Sequence, residues 1–167
     1  ARAAAESRGG TVVEMGDVVR AEARALGLPL TRDNLRFVAR RLRVLHGMAC
    51  VAERCAQRIW EDKPRPPVFI VGLRGLAEYS AFRKRLGHVA LVAIIAPFPL
   101  RLSRLVKRGR PDDPRSPLEL ARRDLVEETF GLRETLLAAS YRFFNTGPLE
   151  KSIKAFVSFL RRWNIVG

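Results

Sequence analysis

The stretch PVFIVGLRG, residues 67–75, decides the fold class of this chain. Its apolar run, residues 67–73, is unbroken, which is typical of a strand covered on both faces. The run HVALVAIIA, residues 88–96, has the same character. Helical patterns at 76–86 and 99–109 follow the two runs. Strands that alternate with helices predict a parallel sheet with helices packed on both sides.

The same alternation continues outward from these two strands. The runs TVVEM at 11–15 and YRFFNTG at 141–147 predict two more strands. Amphipathic spacing predicts one long helix that starts at Thr31 and passes Ile59. We therefore expect a single three-layer α/β domain over residues 1–167. The remaining predicted helices cover 1–9, 17–26, 116–131 with Ser116 as N-cap, and 148–163.

Composition limits the class of protein. A chain of 167 residues with 47% hydrophobic content can bury a core. No apolar run reaches the roughly 18 residues of a membrane span, and no secretory signal is visible. We expect a soluble, cytoplasmic protein without a membrane partner. Two cysteines, Cys50 and Cys55, are expected to be reduced and buried, and with only two histidines we predict no metal site.

The net charge of +14 comes mostly from arginine. The planar, permanently charged guanidinium group suits phosphate, so nucleotides, RNA and DNA are plausible ligand classes. Arginine richness also accompanies base composition and thermophily, and then it indicates no ligand.

Charged residues follow the predicted strands, where parallel sheets bind ligands. In MGDVVR, residues 15–20, Asp17 and Arg20 lie one helical turn apart. In VGLRG, residues 71–75, two glycines flank Arg74. The stretch RLVKRGRPDDPRSPLELARRD, residues 104–124, concentrates basic residues around glycine and proline. Taken singly, these are a capping Asp, a turn Arg and a solvated loop; taken together they form an ordered set.

The order of these segments, with the turn NTGPLEK at 145–151, resembles the P-loop nucleotide kinases. Within that group the chain looks most like an archaeal family related to dephospho-CoA kinase and adenylate kinase, from residue 1 to about residue 160. The resemblance implies a P-loop-kinase-like domain with a helical acceptor-side segment at 30–62 and a mobile lid at 104–124. It also implies a phosphotransferase that moves the ATP γ-phosphate to a nucleotide-like acceptor, with ATP and Mg²⁺ as cofactors.

The resemblance assigns roles by position. Asp17 would activate the acceptor hydroxyl, and Asp17, Arg20 and Arg74 would bind the acceptor. Asp112 and Asp113 would close the lid by pairing with arginines. The residues implied for the donor nucleotide and the lid are Arg104, Arg108, Arg110, Arg122 and Arg123, with Arg110 and Arg123 also catalytic, and Asn145 and Gly147 beside the adenine.

Two departures from the family pattern leave two interpretations of the function open. The sequence contains no G-x-x-x-x-G-K-[ST] loop. The resemblance places that loop and the first strand upstream of Ala1, which leaves an exposed sheet edge through which an oligomer could form. Val71 stands where the family tends to have a magnesium-binding Asp, and Gly75 where a hydroxyl is common. An active kinase and a degenerate nucleotide-binding relative both fit.

The alternative from another class is a non-catalytic basic domain that binds RNA or a protein. The predicted helix at 36–58 has basic residues around an apolar stripe, which suffices for phosphate contacts. We expect Phe37 and Trp60 to pack in the core, which leaves no aromatic side chain for stacking on bases. Nucleic acid is therefore the less favoured partner.

Overall fold

The computed structural model describes residues 2–110 and 113–165. Helices and strands alternate through these ranges, as the apolar runs and amphipathic patterns require. In chain order the elements are α1 Arg2–Glu6, β1 Thr11–Glu14, α2 Gly16–Ala25, α3 Arg32–His46, α4 Cys50–Asp62, β2 Val68–Val71, α5 Leu76–Leu86, β3 Val92–Ile95, α6 Phe98–Arg108, α7 Pro117–Glu128, α8 Leu132–Ala138, β4 Tyr141–Phe144 and α9 Leu149–Arg162.

The strands are parallel, as predicted, but they form two separate pairs. β1 pairs with β2, and β3 pairs with β4. The expectation of one continuous sheet is therefore wrong for the described residues. Phe69 of β2 and Val92 of β3 both pack against a cluster on α1 and α9, so these helices cover both pairs. In the first pair Glu14 and Val71 are partners, so β1 and β2 end side by side.

Two hydrophobic clusters hold the elements in place. The larger one joins α2, α3, α4 and α5 to one face of the first sheet through Val13 and Ile70. The smaller one centres on α9, where the rings of Phe143 and Phe156 meet edge to face at 4.9 Å. Because the first cluster packs these four helices against β1 and β2, it fixes the loops that leave those strands. Its buried members are Met15, Val18, Ala23, Val38, Leu42, Cys50, Val51, Ala52, Cys55, Ala56 and Phe82.

The segment at 30–62, which was predicted to be one long helix on the acceptor side, is helical but consists of two helices. Thr31 caps α3 as expected, since its side chain accepts a hydrogen bond from the Asn34 backbone N–H. The helix ends at Gly47, whose φ of 88° suits a residue without a β-carbon. Cys50 begins α4, and both cysteines are free and buried.

A second break interrupts the helix predicted at 116–131. Ser116 does cap α7, accepting from the Glu119 backbone N–H at 3.2 Å. The helix ends at Glu128, and Gly131, with φ of 86°, leads into α8, which the sequence patterns did not predict. The turn between α7 and α8 lies against the loop that follows β2, where the Phe130 carbonyl approaches Gly75.

Aromatic side chains expected in the core lie at the surface instead. Phe37 is 59% exposed and Trp60 67% exposed, because α3 and α4 bury other faces against the first cluster. Trp163 and Phe144 are also exposed. Over the described ranges, every helix is too short or too polar to cross a bilayer.

Candidate anion-binding site

The loop between β2 and α5 is held rigidly by backbone contacts. The Glu78 carboxylate accepts hydrogen bonds from the backbone N–H groups of Arg74 at 2.9 Å and Gly75 at 3.3 Å. A β-carbon at Gly75 would lie 2.7 Å from the Phe130 carbonyl oxygen, so only glycine allows this approach. The Thr135 hydroxyl donates to the Gly131 carbonyl at 2.8 Å and also lies 3.3 Å from the Arg74 carbonyl. The loop is thus docked on the turn between α7 and α8.

Docking brings Arg74 beside Arg123 of α7. The two guanidinium groups flank one carboxylate, that of Glu127. Arg74 Nε donates to Glu127 Oε2, and Arg123 Nε lies 3.7 Å from Glu127 Oε1. Glu127 is 17% exposed, and both arginines retain partial exposure. We call Arg74 and Arg123, with Glu127 between them, the Arg74–Arg123 site.

A second charged group lies at the end of β1. Arg20 donates to Asp17 Oδ1 at 2.6 and 3.0 Å and to Glu14 Oε2 at 2.9 Å. Burial by itself would lower the pKa of Arg20, but its hydrogen bonds and charge interactions with Asp17 and Glu14 outweigh burial and raise the pKa. Arg20 is therefore always charged, and Asp17 keeps an exposed carboxylate.

The predicted lid contains a tight ion pair. Arg108 donates to both carboxylate oxygens of Asp113, which also accepts from the Arg110 backbone N–H at 3.1 Å. The hydrogen bond from Arg108 is the main reason that the pKa of buried Asp113 is lowered, and the charge of Arg123 adds to this effect. Asp113 thus connects the loop electrostatically to the Arg74–Arg123 site.

Other lid residues are more exposed. The side chains of Arg110 and Arg122 are exposed, and within the described ranges neither has an ion-pair partner. Asp112, which was predicted to help close the lid, lies outside the described residues.

Arg104 is bound by backbone oxygens. Its guanidinium donates to the carbonyls of Asn145 at 2.9 Å and Gly147 at 2.6 Å, in the turn after β4. Asn145 Oδ1 is buried without a hydrogen-bond partner among the described residues. A buried acceptor without a donor is rare and suits a ligand that supplies an N–H group.

The carboxylates present do not fit a magnesium site by themselves. Arg20 engages both Glu14 and Asp17, and Val71 at the end of β2 offers no oxygen. In residues 2–110 and 113–165 no three His, Cys, Asp or Glu side chains gather closely enough to hold a metal ion.

A groove of about 390 Å³ between α2 and α4 lies apart from the arginine site. Glu22 and Arg54 pair within it at 2.8 Å, and Arg58 and Glu61 complete its charged lining. Because its acids and bases balance, the groove has no charge preference for an anion.

Predicted site and lid residues come together in four groups: Arg74 with Arg123, Arg20 with Asp17, Arg104 with Asn145 and Gly147, and Arg108 with Asp113. Within the described ranges the side chains of Arg110 and Arg122 join none of these groups. Glu78 and Glu127 were not predicted as site residues. Glu78 had a local signal, because a Glu three residues after a helix-capping Gly is a start signature. Glu127 also had a local signal, because it is an acidic residue in the last turn of a helix, where the helix dipole favours basic residues.

The fold and site define an α/β protein with parallel strands and arginine-rich loops after them. No protein-family model matches the chain. It is 42% identical over 147 residues to a UPF0200 protein of Hyperthermus butylicus, covering 88% of this chain and 78% of that protein. It is 39% identical over 164 residues to the UPF0200 protein Mbar_A0975 of Methanosarcina barkeri, covering 98% and 87%.

A UPF0200/UPF0201 protein of Archaeoglobus fulgidus is 43% identical over 145 residues, but the chain spans only 45% of that longer protein. Identities of 42% and 39% over most of this chain and most of the two UPF0200 proteins are high enough to show family membership. The chain belongs to the UPF0200 family.

Proposed function

We propose that this protein binds the phosphate group of a nucleotide-like ligand at the Arg74–Arg123 site. One observation carries the proposal: two guanidinium groups from distant segments flank a single anionic group, Glu127. Guanidinium forks bind carboxylate and phosphate by the same charge-assisted hydrogen bonds. A place that already holds a carboxylate between two arginines suits a phosphate.

Neighbouring residues fit such a ligand. Arg20 and Asp17 follow β1, whose last residue pairs with the last residue of β2, so they leave the same edge of the sheet as Arg74. Asp17 is an exposed acceptor for a ligand hydroxyl. In the turn after β4, beside Arg104, Asn145 Oδ1 has no hydrogen-bond partner among the described residues and suits the amino group of a base.

The resemblance to nucleotide kinases extends this proposal to chemistry. As a phosphotransferase the protein would transfer the ATP γ-phosphate to a dephospho-CoA-type or adenylate-type acceptor. Such transfer needs a cradle for the donor phosphates, and the glycine-lysine-hydroxyl motif that forms it is not in these 167 residues. The proposal of phosphate binding does not require the transfer, so it covers both an active enzyme and a degenerate relative.

Calorimetric titration tests the proposal. The chain is titrated with AMP, ADP, ATP and dephospho-CoA. We expect Arg74→Ala and Arg123→Ala each to weaken binding of AMP by about tenfold or more, the worth of a charge-assisted hydrogen bond. Arg85→Ala, which removes an exposed arginine of α5, is the matched control and should leave affinity unchanged. Equal affinities for all three variants would contradict the proposal.

The surface of α3 favours one second candidate, binding of single-stranded RNA. Exposed Phe37 lies among the exposed arginines Arg36, Arg40 and Arg41, and an aromatic ring beside basic residues can stack on a base while its neighbours contact phosphates. The same titration discriminates the candidates. Tight, salt-sensitive binding of an RNA oligomer, without binding of any nucleotide at millimolar concentration, would support RNA binding.

A further inference from the structure

Glu127 has two unusual features for a surface carboxylate. It lies in the last turn of α7, where the helix dipole disfavours an acid. Its partner on the same helix, Arg123, precedes it by four residues, which is the weaker order for a helical ion pair, and the two groups are 3.7 Å apart. Local interactions therefore hold Glu127 poorly. Its short contact is with Arg74, from another element.

Glu127 is not needed to hold the loop that carries Arg74. That loop is fixed by Glu78, which accepts from the Arg74 and Gly75 backbone N–H groups, and by the close packing of Gly75 against the Phe130 carbonyl. These contacts involve the backbone, whereas Glu127 touches only the Arg74 side chain. The carboxylate acts on the guanidinium groups rather than on the path of the chain.

We propose that Glu127 is an intramolecular competitor for the anion that Arg74 and Arg123 bind, so that only an anion held strongly by both arginines, such as a phosphate monoester, displaces it. This inference rests on the proposed function. The tethered carboxylate occupies the two guanidinium groups when no ligand is bound. An incoming anion must displace it or bind beside its negative charge.

The charge of the ligand decides whether displacement is favourable. A phosphate monoester has a charge of about −1.5 to −2 at pH 7 and three acceptor oxygens, so it can engage both arginines more strongly than a carboxylate does. A phosphodiester has one charge and gains little by replacing a tethered carboxylate. Displacing Glu127 costs the same free energy for either ligand, so Glu127 lowers both affinities by the same factor, and the phosphodiester is left with little net affinity.

The test compares Glu127→Gln with Glu128→Gln. Both substitutions remove one negative charge from the end of α7, but Glu128 is exposed and does not contact the arginine pair in the structure. The probes are AMP and the methyl ester of AMP, which keeps base and sugar and has one charge fewer. Calorimetry measures both affinities for the wild type and each variant.

We expect Glu127→Gln to raise affinity for AMP and for the methyl ester by about tenfold each, the worth of one charge-assisted contact. Glu128→Gln should change both affinities by the same small factor. Thermal unfolding verifies that the variants fold. Glu127→Asp, which withdraws the carboxylate by one methylene and keeps its charge, should raise both affinities by a smaller factor than Glu127→Gln.

The outcomes separate the two proposals. If the wild type binds AMP and Glu127→Gln behaves like Glu128→Gln, Glu127 is not a competitor, although the phosphate site stands. If Glu127→Gln binds AMP more weakly than the wild type, Glu127 assists the ligand and the inference is overturned. If neither the wild type nor any variant binds AMP, the phosphate site itself is wrong and the inference is lost with it.

Discussion

At the scale of single residues, Asp113 shows how one carboxylate orders a loop rich in glycine and proline. It is 5% exposed, yet its charge is satisfied by Arg108 and by the backbone N–H of Arg110. Gly109, with φ of 65°, ends α6 and turns the chain so that these contacts can form. The buried charge of Asp113 is tolerated because both of its carboxylate oxygens accept hydrogen bonds.

Replacing Asp113 by Asn tests this account. Because the pKa of Asp113 is lowered in the folded protein, its stabilising contribution is present above the usual carboxyl pKa of 3.8 and is lost as pH falls below that value. At neutral pH we expect Asp113→Asn to reduce the free energy of unfolding by about 1–2 kcal/mol, allowing for the partial exposure of Arg108.

The measurement is chemical denaturation at a series of pH values. The wild type should lose stability more steeply than Asp113→Asn as pH falls from about 5 toward 2. Asp62→Asn, which removes an exposed carboxylate from the end of α4, is the control and should follow the wild type. Parallel curves for the wild type and Asp113→Asn would show that Asp113 is not the group responsible.

At the scale of elements, a buried ion pair joins α3 to the loop that carries Arg74. Arg43 of α3 is 9% exposed and donates to Glu78 Oε1 at 2.9 Å. The other oxygen of Glu78 holds the backbone of the loop, and the Arg43 guanidinium lies 4.6 Å from the centre of the Phe130 ring. One pair of side chains thus connects α3, α5, the loop and the turn after α7.

We expect Glu78→Ala to destabilise the protein by about 3–5 kcal/mol, because it leaves Arg43 buried without a counter-charge. Replacing both partners, as Arg43→Met with Glu78→Leu, should cost less than Glu78→Ala alone. The double variant should not recover fully, since two backbone N–H groups still lose their acceptor at a cost of about 1 kcal/mol. Urea denaturation of the wild type, Glu78→Ala, the single variants Arg43→Met and Glu78→Leu, and the double variant measures this coupling. Additive effects of the two single changes would show that the pair is not coupled.

At the scale of the whole molecule, the charge of +14 on 167 residues is the dominant electrostatic fact. The acidic partners of Arg20, Arg74 and Arg108 are already counted in this sum, so their ion pairs leave the excess positive charge unchanged. Self-repulsion of the remaining positive charge destabilises the compact state, and salt screens it. Anions that bind at a defined site should stabilise the folded protein by more than salt screening alone does.

We expect the melting temperature to rise between 10 mM and 150 mM NaCl, over which the screening length falls from about 30 to 8 Å. At equal ionic strength, replacing part of the chloride by AMP should raise it further by a few degrees, about 2–4 °C per kcal/mol of ligand stabilisation. Scanning calorimetry of the wild type and Arg74→Ala measures both effects. An equal increment from AMP in the two proteins would place its binding outside the Arg74–Arg123 site.

Local chemistry explains which features could be predicted from the sequence. The apolar run before Gly72, the caps at Thr31 and Ser116, and the arginines after the strands were all visible as short-range patterns. The apolar periodicity did not predict the break at Gly47. Spacing typical of a helix continues on both sides of this residue, although the chain turns there. Periodicity records which face is apolar and does not record a change of direction at one residue.

The sequence by itself determined the kinds of element, the parallel pairing of strands and the supply of arginine. Only the tertiary structure decided that the strands form two pairs and that Arg74 and Arg123 meet at Glu127. Helices and caps depend on neighbours within a few residues, so their signals are local. Strand order and ion pairs between elements depend on how the helices pack, and that free energy belongs to the whole fold rather than to any one segment.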